Sequence, residues 1–383
     1  MELLYRGFDG LDLSLQGQIS AAFLEELEAA KEHAQKSNAP TVLFWNDLKL
    51  EVNETGSRGG YAFTASTGPL GATWFFKKPN ARDPWGVRVS CASFNLALNG
   101  LGGARAQLYD TLRALEVDLV PGGESLSRVD YAMDFLAPEF VLVPEHFVMH
   151  SNAGWAEHSE QLPEVVVHGR SVRVTSVTVG KMPGRQIIIY DKRADVIAKH
   201  KVGWWEIWNA SRARSGEPPL KQDDPTESRI WRVEVRAGKH YLKERWNIRT
   251  WSDLDNRLGD MFAASIEAIR HAQPTRDSNR SRWPNSELWN RVVDEVQTDL
   301  FEMRQWADPD LVKSVQKDAL NDLLARQMLG LMVNRAALRG VQFPQLRAFA
   351  LSIGDELARE VSNSPSRIGD KLARTVNRYD LGI

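Results

Sequence analysis

The stretch Ser127-Arg128-Val129-Asp130-Tyr131-Ala132-Met133-Asp134-Phe135 constrains the fold more than any other part of the chain. Successive side chains of an extended strand point to opposite faces, so Val129, Tyr131, Met133 and Phe135 share one face, and Arg128, Asp130, Ala132 and Asp134 the other. Ile230-Trp231-Arg232-Val233-Glu234-Val235-Arg236 alternates in the same way, with Arg232, Glu234 and Arg236 together. Strands that are apolar on one side and charged on the other belong to a mostly antiparallel sheet with a core on one face. The charged face is either a solvated surface or an acidic metal or phosphate site.

Other segments supply the rest of an α+β fold. Strands are expected at Phe8–Leu15, Thr41–Trp45, Val87–Cys91 and Val172–Val179, and a hairpin at Gly59–Ser66 and Ala72–Phe76. Apolar residues at helical spacing place helices over Ile19–Ala30 and Ala104–Leu115, and a further helix is expected from about Asp195 to Arg214. Thr67-Gly68-Pro69-Leu70-Gly71 before Trp74-Phe75-Phe76-Lys77-Lys78 echoes Gly180–Gly184 before Ile188-Ile189-Tyr190-Asp191-Lys192, which suggests an internal duplication. Thr275–Pro284 is polar and loop-like. The sequence therefore divides into 1–273, a linker at 274–285, and an all-helical region at 286–383, with helices near Ser286–Trp306, Asp308–Met328, Phe343–Val361 and Ile368–Arg378.

Gly180, Pro183 and Gly184 punctuate a turn that feeds the strand Gln186–Tyr190. Tyr190 is then a strand terminus, with its ring on the core and its hydroxyl in water, or something more chemical. Three strands could bring Asp130, Asp134, Glu234, their arginines and Tyr190 to one face. That set suits phosphodiester transfer: carboxylates hold a hard cation such as Mg²⁺ or Mn²⁺, basic groups balance charge, and tyrosine attacks. Residues 165–249 carry 18 Lys+Arg against 9 Asp+Glu, a net of +9 in a chain whose formal charge is −2. Trp204, Trp205 and Trp208 lie in that window as candidates for stacking unpaired bases or for core.

In their order and spacing, the Ser127–Phe135, Val179–Lys192 and Trp231–Arg236 blocks resemble the replication initiation factor family, which comprises rolling-circle plasmid and phage initiators of the staphylococcal plasmid type and related conjugative relaxases. The resemblance covers about residues 5–260. It implies that Tyr190 attacks a scissile phosphate to give a 5′-phosphotyrosine link, and that Asp130 and Glu234, with Asp134, serve a divalent metal. Lys192 or Arg185 would favour the phenolate, because a phenol with pKa about 10 is a poor nucleophile at neutral pH. Arg128, Arg232 and Arg236 would contact single-stranded or locally melted origin DNA.

No histidine pair separated by one apolar residue occurs, and Gly100-Leu101-Gly102-Gly103 is not followed by the Gly-Lys-Ser/Thr of a nucleotide-binding loop, so unwinding would fall to a separate host helicase. Cys91 is the only cysteine, and no run of eighteen apolar residues or signal-peptide pattern occurs; a cytoplasmic chain with no membrane partner is the expectation. The helical region could dimerise, read the origin or support the sheet. A noncatalytic DNA-binding or assembly protein on the same fold is the competing reading, with each acid merely paired to a neighbouring arginine.

Overall fold

The computed structural model describes residues 1–149, 165–170, 173–296, 321, 325, 328–370 and 372. An eleven-stranded sheet dominates, in the order β2-β3-β4-β5-β6-β1-β7-β12-β11-β10-β9. Every strand pairing within it is antiparallel. The strands are β1 (Glu2–Gln18), β2 (Thr41–Trp45), β3 (Leu48–Val52), β4 (Phe63–Ser66), β5 (Ala72–Phe76), β6 (Val87–Cys91), β7 (Asp118–Leu136), β9 (Val165–Arg170), β10 (Arg173–Gly180), β11 (Arg185–Asp191) and β12 (Ile230–Gly238). A small second sheet pairs β8 (Phe147–Met149) with β13 (Ile269–His271).

The helices of this part are α1 (Ala21–Ser37), α2 (Ser93–Ala114), α3 (Lys192–Ala198), α4 (Gly203–Arg214), α5 (Trp251–Ala268) and α6 (Glu287–Val296). Phe23 and Leu27 of α1, Leu108 and Leu112 of α2, and Leu258 and Phe262 of α5 pack on the apolar face built from Val89, Val129, Tyr131, Met133, Ile187, Ile189, Val233 and Val235. The alternation read from the sequence thus separates an apolar face from one that carries the charged residues, on part of which α3 and α4 pack Val196, Trp204 and Trp208. α2 is two helical stretches that meet at a kink at Gly100, which takes φ +63° and ψ 179°, the break that the sequence predicts; the stretch before it, from Ser93, lies outside the predicted helix. The expected helix over Asp195–Arg214 is two helices, because Lys199 and His200 leave helical geometry between α3 and α4.

The two halves of the sheet follow a similar path. β1 starts at the centre, the chain goes to one edge and meanders back through β2–β6, and α2 follows; β7 starts beside β1, and β9–β12 return to it from the other edge before α5. β6 (Val87-Arg88-Val89-Ser90-Cys91) and β12 (Trp231-Arg232-Val233-Glu234-Val235) occupy corresponding places. Phe75 pairs with Arg88 as Tyr190 pairs with Arg232. The sequence echo, which set Phe76 against Tyr190, is therefore one residue out, and one residue exchanges the faces.

The chain divides into two units, Met1–Gln316 and Lys317–Ile383. The boundary expected at 274–285 is not where the units part. Arg270 donates to the Ser281 and Trp283 carbonyls, and α6 sinks Leu288, Trp289 and Val292 into the sheet core, so its apolar stripe belongs to the first unit. The second unit is helical where described, over 328–338, Leu346–Asn363 and 365–370. The helices expected over Asp308–Met328 and Ile368–Arg378 lie largely outside the described residues. Among the described residues no helix is long and apolar enough to cross a membrane.

Trp289 is fully buried and its indole donates to the Ile266 carbonyl at 3.1 Å. Trp289→Ala is therefore expected to cost about 3–5 kcal/mol in chemical unfolding. A fragment ending at 285 should lose the cooperative transition that a fragment ending at 316 keeps.

Candidate active site

Cross-strand register assembles the polar face. Tyr190 on β11 lies opposite Arg232 on β12, which lies opposite Asp134 on β7; two residues along, Glu234 faces Ala132, and Arg236 faces Asp130. β1 adds Gly10 opposite Asp130. A Cβ on Gly10 would stand 2.5 Å from the Asp130 carboxylate, so glycine there leaves room for the acid to lie flat on the neighbouring strand.

Two electrostatic clusters occupy this face. In the first, Arg232 is wholly buried and holds Asp134 with two bonds, Nε to Oδ1 at 2.5 Å and Nη2 to Oδ2 at 2.8 Å. Its Nη1 donates to Asp9 Oδ1 at 2.6 Å, and Trp208 Nε1 donates to Asp134 Oδ2 at 2.8 Å. Burial opposes ionisation of Asp9, yet the charges of Arg232 and Lys192 outweigh it and hold the carboxyl below its ordinary pKa.

The second cluster is the acid pair. Arg128 Nε reaches both Asp130 oxygens, at 3.0 and 2.8 Å, and Arg236 Nε donates to Glu234 Oε1 at 2.6 Å while standing 3.8 Å from Asp130 Oδ2. Burial, reinforced by the Glu234 charge, overrides both arginines and pushes Asp130 up to about 7. Glu234 Oε2 is buried with no hydrogen-bond partner. Glu234 Oε2 is thus an orphaned oxygen beside a carboxyl reluctant to ionise, while both Asp130 oxygens accept from Arg128. Among the described residues no three His, Cys, Asp or Glu side chains gather into a fuller ligand set.

Tyr190 stands between the clusters and is only partly buried, whereas Arg232 and Glu234 around it are closed off. Burial raises its hydroxyl well above the ordinary value; Arg232 opposes the shift, and Glu234, Asp9 and Asp134 add to it. Lys192 Nζ lies 3.5 Å from that hydroxyl. Its position is set locally: Asp191 caps α3 by accepting from Ala194 N at 2.9 Å, and Arg173 pins the other carboxylate oxygen at 2.6 Å. Burial, together with the Arg232 charge, pushes Lys192 down to about 8, against the pull of Asp9, Asp134 and Asp195. Burial thus disfavours the charged form of both the amine and the phenol, which stand within reach of each other.

Several expected site residues sit elsewhere. Arg185 has odd parity on β11, so it shares the core face with Ile187 and Ile189, and it donates to the Tyr241 hydroxyl at 3.1 Å; it is not beside Tyr190. Trp204, Trp205 and Trp208 are buried rather than offered to bases. Trp204 lies under two cations, 4.2 Å from Arg232 and 4.8 Å from Lys192, so the aromatic and basic residues of this window meet inside the protein. Arg232 is closed from solvent, and both Asp134 oxygens are taken by Arg232, which removes the first as a DNA contact and leaves the second no open side for a metal. Asp9 went unread in the sequence. Its signal was Gly10, an isolated glycine in a strand pattern, which here accompanies a register shift between Phe8 and Gly10.

No protein-family model matches the chain, and neither does any curated protein. Among solved structures the chain is similar to a rolling circle replication initiator protein from Geobacillus stearothermophilus, at 14% identity over 76% of this chain and 96% of that one, with a TM-score of 0.36. A likeness this loose assigns no residue a role.

Arg232→Met should destabilise the fold by about 3–5 kcal/mol in urea unfolding, because it strands Asp134 and Asp9. Adding Asp134→Asn should recover part of that loss. Asp130 has its pKa raised by folding, so the stability it lends is full at low pH and is lost as pH rises through about 7. The melting temperature of Asp130→Asn relative to wild type should accordingly climb between pH 4 and pH 8.

Proposed function

We propose that the chain is a metal-dependent DNA nicking-joining enzyme of the rolling-circle initiator type, with Tyr190 as its nucleophile. One observation carries this reading: a half-buried tyrosine and a buried acid pair with an unbonded oxygen share one sheet face, and an amine of lowered pKa at the start of α3 lies 3.5 Å from the tyrosine hydroxyl. The order of the three sequence blocks supports the same reading.

Neutral Lys192 takes the Tyr190 proton, and the phenolate oxygen bonds to phosphorus. The bond from phosphorus to the 3′ oxygen breaks; that oxygen takes a proton from solvent, leaving a free 3′-hydroxyl and a 5′-phosphotyrosine. Arg128 and Arg236, both partly exposed beside Asp130 and Glu234, reach outward to the phosphate oxygens and balance their charge. Asp130 and Glu234 would hold Mg²⁺ or Mn²⁺, which when bound supplies Lewis-acid polarisation of a phosphoryl oxygen. The buried Arg232 cluster keeps β7, β12 and β11 in register beneath them. Conjugative transfer would use the same step. The noncatalytic reading has one observation on its side, since Asp130, Glu234 and Asp134 each carry an arginine partner.

The test is a denaturation-resistant adduct with labelled single strands tiled across the DNA flanking the gene, in Mn²⁺. Wild type should form it and Tyr190→Phe should not. Adduct formation should speed up as pH rises through about 8, where Lys192 becomes neutral, and Lys192→Met should abolish that rise and slow the step about 10²- to 10⁴-fold. Tight binding without any adduct would favour the noncatalytic protein.

A further inference from the structure

The two halves of the sheet repeat one path, but the residues around their matched arginines differ. Arg232 meets Asp134 across its pair with β7, whereas Arg88 meets Ser14 across its pair with β1; Glu234 on β12 corresponds to Ser90 on β6. The acids of one half are hydroxyls in the other. Arg88 consequently has no carboxylate partner among the described residues. It lies against rings instead, with Cζ 3.9 Å from the Phe75 ring centre and 5.2 Å from that of Tyr61, and Nη2 donates to Ser57 Oγ at 3.3 Å.

More positive charge surrounds Tyr61. Lys77 Nζ lies 4.9 Å from the ring centre, and Lys31 donates to the adjoining Ala62 carbonyl at 2.8 Å. Arg58 is exposed on the loop that leads to Tyr61 through Gly59 and Gly60, both at positive φ. Lys77 is held by Asp83 at 2.7 Å, but neither Lys31 nor Arg58 has a carboxylate partner among the described residues. Two nearby acids share this face: Asp12 lies opposite both Ser90 of β6 and Arg128 of β7, and its negative charge helps hold the Arg128 pKa up, while Glu51 is paired with Lys49 at 3.4 Å. Arg88 and Phe75 share the face of Asp130 and Glu234, because Val87, Val89 and Cys91 take the core side of β6. β6 stands two strands from β7 in the sheet, a span of about 10 Å.

We propose that the surface around Arg88 is the docking site for the single-stranded DNA segment that flanks the phosphate held at Tyr190, with Arg88 and Arg58 on its phosphates and Phe75 as a ring for an unstacked base. The proposal rests on the nicking reading. Its chemistry is the one a single strand requires: two arginines, Arg88 and Arg58, without a carboxylate partner among the described residues, beside a half-buried ring.

The experiment is fluorescence anisotropy with a labelled oligothymidylate at several salt concentrations, alongside the Tyr190 adduct assay. Arg88→Gln should weaken binding roughly 3- to 10-fold at low salt and lower the salt slope by about 0.7 for the lost phosphate contact. Arg88→Lys, which keeps the charge, should restore the slope, and Phe75→Leu should weaken binding without changing it. The adduct reaction of Arg88→Gln should need more DNA for half-maximal rate while reaching the wild-type maximum. Affinity and slope unchanged in both Arg88→Gln and Arg58→Gln overturn the proposal, as does a loss confined to duplex probes. The exposed Arg58→Gln decides alone should Arg88→Gln fail to fold. An adduct in wild type with unchanged binding in these variants sinks this surface and leaves the nicking reading standing; binding that depends on Arg88 without any adduct does the reverse.

Discussion

A single guanidinium with no access to water organises the second half of this protein. Arg232 is bonded to Asp134 and Asp9, roofed by Trp204, and fixed on a strand that lies between the acid-bearing β7 and the tyrosine-bearing β11. A buried charge of this kind holds only when its partners are in place, so the network is worth more as a specification of register than as net stability. A one-residue slip of β12 would turn Arg232 into the apolar core and Val233 onto the acids. The same constraint sets Tyr190 opposite Arg232 and Glu234 one pleat away.

Burial divides the labour between the two carboxylate clusters. Asp134 is fully satisfied by Arg232 and Trp208 and has no spare valence toward a ligand. Asp130 and Glu234 are held by arginines that remain partly open to solvent, and one Glu234 oxygen is left without a bond. The result is one sealed cluster and one that keeps a buried, unbonded oxygen. Tryptophans that would serve a nucleic acid on the surface instead exclude water from the sealed cluster, which strengthens its charges and lowers the Lys192 pKa. The first half of the sheet kept the path and the arginine, with serines at the matched positions where the second half has acids. The repeated path thus carries different residues around its two matched arginines.

What was legible in the sequence follows from periodicity. The two-residue repeat at Arg128–Phe135 and Ile230–Arg236 is a local property of extended chain, and it identified the polar face and the three strands that meet there. It also contained the correction for Arg185, whose odd parity with Ile187 and Ile189 puts it on the core side. Helix starts were less legible: the break at Gly100 is there, but the helical stretch from Ser93 that precedes it was not read. The end of the first unit was hidden as well, since an amphipathic helix such as α6 looks the same whether its stripe faces a sister helix or a sheet.

By itself, then, the sequence determined the α+β class, the faces of the central strands and the candidacy of Tyr190, Asp130 and Glu234, because alternation and turn chemistry act over a few residues. Only the tertiary structure decided which charges are free. Asp9 lies 223 residues from Arg232, and α4 brings Trp204 over Arg232 and Lys192. Whether a carboxylate is satisfied or an indole exposed depends on such distant partners and on the water they exclude, and neither is written in the spacing of nearby residues.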